Sequence, residues 1–127
     1  MPSAAPWSYS KIHAFETCPR QFYYERVLKK YQQKETDAMR YGTDFHEAAE
    51  LYVGEDKPLP ERFEFAKDAL DKLLLIEGEA IPEQKMGLTK ELEPCDFDAD
   101  DVWWRGILDL TILNNSASLA HSLDYKT

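Results

Sequence analysis

Three side chains near the carboxyl end could do chemistry together: Asp109, Asp124 and Lys126. They sit in two stretches, Trp103–Leu113 and Leu119–Thr127, on either side of the polar tract Asn114-Asn115-Ser116-Ala117-Ser118. β-Branched and aliphatic residues around a tract with turn chemistry predict two strands joined as a hairpin. A turn centred between Ser116 and Ala117 sets Asp109 directly opposite Asp124. In that register Leu108, Leu110 and Ile112 share a face with Leu119, Leu123 and Tyr125. The other face carries Asp109, Thr111, Ser122, Asp124 and Lys126.

Side chains directly opposed across two strands lie roughly 5 Å apart at Cβ, and like charges there destabilise the pair. Two aspartates so placed call for something positive between them. Lys126, two residues past Asp124 and on the same side, is one candidate. A divalent metal is the other, because Mg²⁺ prefers oxygen ligands and takes one or two carboxylates together with substrate phosphates. A solvated sheet face with a surface ion pair accounts for the same spacing, since the register is inferred and a one-residue slip changes every face.

These residues carry a family resemblance. Gly106-Ile107-Leu108-Asp109, followed by Asp124-Tyr125-Lys126-Thr127, resembles the G-x-x-D … D-Y-K-T signature of the PD-(D/E)XK nuclease superfamily, nearest its RecB-like exonuclease branch of phage and CRISPR-associated type. Ser8-Tyr9-Ser10 leading to Cys18-Pro19-Arg20-Gln21-Phe22-Tyr23-Tyr24 resembles that branch's amino-terminal segment. Gly42-Thr43-Asp44-Phe45-His46 resembles its G-x-x-x-H helix. Each piece is unspecific alone, but the four stand in the family's order and span nearly the whole chain.

The resemblance implies an α+β fold over a single domain, 1–127. A mostly helical part, 1–77, precedes a three-stranded antiparallel portion of a restriction-endonuclease-like core over 88–127. It implies a DNA nuclease, expected to act as an exonuclease in recombination and repair. Metal, Mg²⁺ or Mn²⁺, would be held by Asp109, Asp124 and His46, with imidazole nitrogen suiting Mn²⁺ better than Mg²⁺. Lys126 would orient or deprotonate the attacking water and offset phosphate charge. A glutamate on the first core strand adjoins the metal in relatives, and Glu91 is the expected counterpart here, with Glu93 equal by parity. Relatives continue beyond the lysine strand into a helix bearing Q-x-x-x-Y and a further strand. A missing carboxy-terminal segment, or a second chain, is therefore expected to complete the fold and cover an exposed sheet edge. The competing class is a non-catalytic nuclease-like module that binds DNA or a protein partner.

The elements that must position these groups are partly legible. Ser8 or Ser10 can cap a short helix through about Thr17. Cys18-Pro19 ends it, and Pro19 can open the next helix at its first position. Along that helix Phe22 and Val27 read as core, while Arg20, Tyr23, Tyr24 and Arg26 could stack on bases or bind phosphate. From Tyr41 to Val53, Phe45, Ala48, Ala49 and Tyr52 form one apolar stripe with His46 at its edge. His46-Glu47 lacks a second histidine at the next turn, which excludes the zinc-protease motif. A further amphipathic helix is expected from about Pro60 to Glu77, a loop from Gly78 to Gly87, and a strand from Leu88 to Cys95 with Glu91 and Glu93 on one face. Asp96-Phe97-Asp98-Ala99-Asp100-Asp101 begins like a calcium loop but lacks its glycine and terminal glutamate, so a solvated turn is expected.

Composition sets limits. A chain of 127 residues suits one domain. No apolar run is long enough for a bilayer, and Met1–Pro6 lacks the basic and apolar regions of a signal peptide, so a cytoplasmic setting in a bacterial or phage-infected cell is expected. Cys18 and Cys95 give no disulfide framework. Relatives with an iron–sulfur cluster use four cysteines, so Cys18 is read here as a small buried residue. The net charge of −9 opposes tight duplex binding, since phosphate contacts rest on Lys and Arg. It is uneven, however. Residues 1–45 hold seven basic and five acidic side chains, a net +2, whereas 46–127 hold eight and nineteen, a net −11.

Overall fold

The computed structural model describes residues 5–127; the first four residues of the amino-terminal segment read for a leader lie outside the described residues. The class is α+β, with helices in the first half and a four-stranded antiparallel sheet of order β2-β1-β3-β4. Among the described residues no helix is long and apolar enough to cross a membrane. The chain divides into two compact units. One comprises Met1–Glu35 with Lys85–Gly106, the other Thr36–Gln84 with Ile107–Thr127.

In the first unit, α1 (Tyr9–Thr17) starts at Ser8, whose hydroxyl accepts the Lys11 N–H at 3.4 Å. Cys18 sits in extended backbone, so the helix stops there, and Pro19 opens α2 (Pro19–Phe22). The Cys18 sulfur accepts the Gln21 N–H at 3.4 Å. This thiol is half-buried and caps a helix, which corrects the expectation of a small core residue. The chain then widens into a π-turn over Tyr23–Val27. Ahead of α1, Trp7 pairs with the start of β3: its N–H donates to the Trp103 carbonyl at 2.7 Å and its carbonyl accepts the Arg105 N–H at 2.9 Å.

The second unit is built on α3 (Asp37–Glu55). Thr36 caps it by accepting the Met39 N–H at 3.2 Å, Asp37 complements the positive helix start, and Asp56 ends it in left-handed backbone. The expected stripe is the packed face: Phe45 and Ala49 are buried, and Ala48 and Tyr52 lie against them. A 3₁₀ turn (Glu61–Ala66) and α4 (Lys67–Leu74) supply Phe63, Ala66 and Leu70 to this core. Phe63 meets Phe45 edge-to-face with ring centres 5.4 Å apart.

The strands correct two expectations. The region read as a loop, Gly78 to Gly87, is almost wholly β1 (Glu79–Leu88), so the described residues form four strands instead of three. The stretch read as a strand, Leu88 to Cys95, is mostly a tight turn: Lys90 and Glu91 turn the chain, Leu92 is left-handed, and β2 spans only Pro94–Cys95. Pro82 and Gly87 conceal β1 from a propensity reading, because both are depleted in strands. Glu83 has φ +49°, which kinks the strand and breaks its alternation.

β3 (Trp104–Asn114) and β4 (Leu119–Leu123) form the expected hairpin in the expected register, with Leu110 opposite Leu123 and Thr111 opposite Ser122. β4 ends at Leu123, one residue before Asp124. Leu110, Thr111 and Ile112 are buried in succession, so both faces of β3 are covered at these three positions. The face carrying Thr111 is thus covered at Thr111 and open at Asp124 and Lys126.

Candidate metal and nuclease site

Within the second unit, α3, β1, β3 and the segment after β4 converge on one cleft of about 810 Å³. Gly42, His46 and Glu50 line it from α3, Glu83 from β1, Asp109 from β3 and Thr127 from the last segment. A Cβ at Gly42 would stand 3.2 Å from the Thr127 hydroxyl, so the glycine admits that segment to the helix.

His46 is fixed at both ring nitrogens. Nδ1 donates to the Gly42 carbonyl at 2.8 Å, one helical turn earlier. Nε2 then faces two oxygens, Asp109 Oδ2 at 3.2 Å and the Tyr125 carbonyl at 3.1 Å. Both are acceptors. With the first proton committed at Nδ1, only a second proton or a cation at Nε2 satisfies this arrangement. Burial lowers the His46 pKa, but the Gly42 carbonyl, the Asp109 charge and hydrogen bond, and the Tyr125 carbonyl outweigh it and hold the imidazole above its ordinary value.

Asp109 also accepts the Tyr125 N–H, through Oδ2 at 2.7 Å. This bond ties the chain after β4 back onto β3. Tyr125 turns its ring inward, edge-to-face against Phe45 at 6.1 Å, as expected of a core-facing residue. Its hydroxyl is buried with no hydrogen-bond partner among the described residues. Burial first, then the charges of Asp109 and Glu83, push its pKa up to about 12.

Asp124 and Lys126 stand at the rim. Lys126 Nζ is 2.5 Å from Asp124 Oδ2, and both side chains are mostly exposed. The Lys126 bond first, and the Asp109 carboxyl within hydrogen-bonding reach second, hold Asp124 below the usual carboxylate range. His46, Asp109, Asp124 and Lys126 thus all belong to the second unit, the first two in contact and the last two paired at the exposed rim.

Glu91 is not among them. It belongs to the first unit, exposed on the turn after β1, and the strand expected to present it does not exist. The acid that reaches the cleft from the first strand is Glu83. Sequence reasoning missed it because it follows a proline inside an apparent loop; an acidic residue in that stretch was the only signal. Arg20, Tyr24 and Arg26 also lie in the first unit, with the Arg20 guanidinium 6.0 Å from the Tyr24 ring centre.

Among the described residues no three His, Cys, Asp or Glu side chains are gathered closely enough to hold an ion by themselves. The converging donors are one imidazole nitrogen, the Asp109 carboxylate and a main-chain carbonyl. An oxygen-rich set with a single nitrogen fits a hard divalent cation and does not fit a thiolate-seeking metal.

Comparison with curated proteins and with solved structures returned no match. The family model of the PD-(D/E)XK nuclease superfamily matches residues 6–93, well over half of the chain. The matched part includes His46 and Glu83, while Asp109, Asp124 and Lys126 lie beyond it and stand on their geometry. Nucleases of this superfamily generally work with divalent metals. With its α+β architecture and the match over residues 6–93, the chain belongs to the PD-(D/E)XK nuclease superfamily.

Proposed function

We propose that this protein is a DNA nuclease of the RecB-like exonuclease type, dependent on Mg²⁺ or Mn²⁺ and working inside the cell. The observation that supports it best is His46 Nε2 facing two acceptor oxygens, an arrangement that a cation completes. His46, Asp109 and the Tyr125 carbonyl would hold the ion, joined by Asp124 and by Glu83 in place of Glu91. When bound, the metal supplies charge relief at phosphorus and acidifies a water.

The chain's own groups do the rest. The Gly42 carbonyl keeps the His46 proton on Nδ1 and so leaves Nε2 as the ligating nitrogen. Asp109 fixes the Tyr125 main chain, which sets the Tyr125 carbonyl and places Lys126 next to the acidic pair. Lys126 carries the ammonium that orients the attacking water and offsets phosphate charge. DNA is the substrate in this reading, with Arg20, Tyr24 and Arg26 as contacts outside the cleft.

The test is incubation of linear DNA with the purified protein and Mn²⁺ or Mg²⁺. Degradation should require the metal, stop on chelation, and disappear in Asp124→Ala and Lys126→Ala proteins that keep the wild-type circular dichroism spectrum. Equal activity in wild type and variants would remove the enzyme reading.

A further inference from the structure

The first unit carries a second feature that the cleft does not use. Between residues 5 and 34 stand Lys11, Arg20, Arg26, Lys29, Lys30 and Lys34, against Glu16 and Glu25 alone, in a protein of net charge −9. The cations are clustered. Lys11 is half-buried, its Nζ donates to the Pro6 carbonyl at 2.8 Å, and it lies in the field of Arg105, Arg26 and Lys29. Burial first and then these three charges hold the Lys11 pKa below its ordinary value. Arg105 has an acidic partner, Asp98 at 3.0 Å; among the described residues Lys11, Arg26 and Lys29 have none. Crowded like charges are unfavourable without an anion, and the natural complement of such a cluster is a phosphate.

Aromatic rings surround these cations. Lys11 and Arg26 edge a cavity of about 340 Å³ whose other walls include Trp7, Phe22 and Val27. Trp7 and Phe22 stack with ring centres 6.0 Å apart and planes within 13°. Further out, the Arg20 guanidinium and the Tyr23 and Tyr31 rings gather around Tyr24, and the Lys30 ammonium lies 5.6 Å from the Tyr31 ring centre. Tyr23 and Tyr31 remain 48% and 59% exposed. Rings left in water beside cations are the pattern of a single-strand platform, where unstacked bases lie on π-faces and the backbone follows the charge. A duplex hides its base faces and could not use them.

We propose that the amino-terminal unit binds single-stranded DNA, with a phosphate on Lys11 and Arg26 at the mouth of the Trp7–Phe22 cavity and neighbouring bases stacked on the exposed tyrosines. This deepens the nuclease reading by naming the substrate form, but the binding needs no metal and no catalysis.

The experiment is fluorescence anisotropy of a labelled thymidine oligonucleotide of about 15 nucleotides, near the upper footprint of one small binding fold. It is run in EDTA beside a duplex of equal length. The single strand should bind at least about tenfold more tightly than the duplex. Arg26→Glu, an exposed change, should weaken it about tenfold and flatten the logarithmic salt slope by about 0.7 for each phosphate no longer neutralised. Tyr31→Ala should weaken it about fivefold or more. Lys57→Glu, on the other unit, should leave it unchanged. Equal or tighter duplex binding overturns the proposal, as does unchanged affinity in Arg26→Glu or a loss in Lys57→Glu equal to that in Arg26→Glu. Because the assay contains no free metal, a protein that cleaves nothing can still satisfy this test, and one that cleaves can still fail it.

Discussion

Nε2 of His46 and Oδ2 of Asp109, 63 positions apart in the chain, lie 3.2 Å from each other. One comes from the middle of a helix and the other from a strand, so their meeting is a product of tertiary packing. Asp109 adds a second bond to the Tyr125 N–H, and its side chain is only 16% exposed. Replacing it therefore strands the Tyr125 N–H in a partly dry site and leaves His46 Nε2 with the Tyr125 carbonyl alone.

Asp109→Ala should for this reason lower metal-free stability, by about 1–3 kcal/mol, the cost of leaving a buried donor unpaired. Urea unfolding followed by circular dichroism checks this. A variant as stable as the wild type, or more so, would contradict the structural role given to the Asp109–Tyr125 bond.

Gly78 introduces β1 with φ +140°, and a Cβ there would stand 2.6 Å from the Leu113 carbonyl oxygen on β3. Both conformation and space demand glycine. Gly78→Ala should cost about 1–3 kcal/mol by the same unfolding measurement, with Gly106→Ala, where a Cβ meets nothing within 4 Å, as the mild control. Equal effects at the two positions would contradict the placement of β1 against β3.

Asp71 joins α4 to α3. Its carboxylate accepts from the Tyr52 hydroxyl and from Lys67 Nζ at 2.9 Å, and these bonds, the Tyr52 one first, hold its pKa below the ordinary value. A carboxyl depressed on folding stabilises the protein above its unfolded pKa, about 3.9, and loses that contribution as pH falls through the folded value. Asp71→Asn should thus be less stable than wild type near neutral pH, with the gap closing below about pH 4. Melting temperatures across pH decide it; a gap that is constant or widens in acid would be contrary.

The hairpin was legible because one turn tract and two alternating stretches fix a single register. Ser8, Pro19 and the stripe on α3 were legible because caps and helical period are local. β1 was not, since Pro82, Gly87 and the left-handed Glu83 imitate a loop and are held in a strand by pairing with β3. Glu83, which lines the cleft from β1, therefore escaped notice, and the strand expected to carry Glu91 is a turn. Burial of Thr111 was not legible either, since a threonine among carboxylates gives no sign that β3 is covered on both faces at that point. The π-turn at Tyr23–Val27 leaves no mark in a pattern of helical spacing.

The nuclease reading requires that His46, Asp109 and their neighbours grip a divalent cation. Calorimetric titration of Mn²⁺ into the purified protein measures this directly. A saturable isotherm that is abolished in Asp109→Ala and weakened at least about tenfold in His46→Ala, the usual penalty for removing a positioned ligand or its support, is the predicted result. No heat of binding in the wild type, or an isotherm that Asp109→Ala leaves intact, would contradict it.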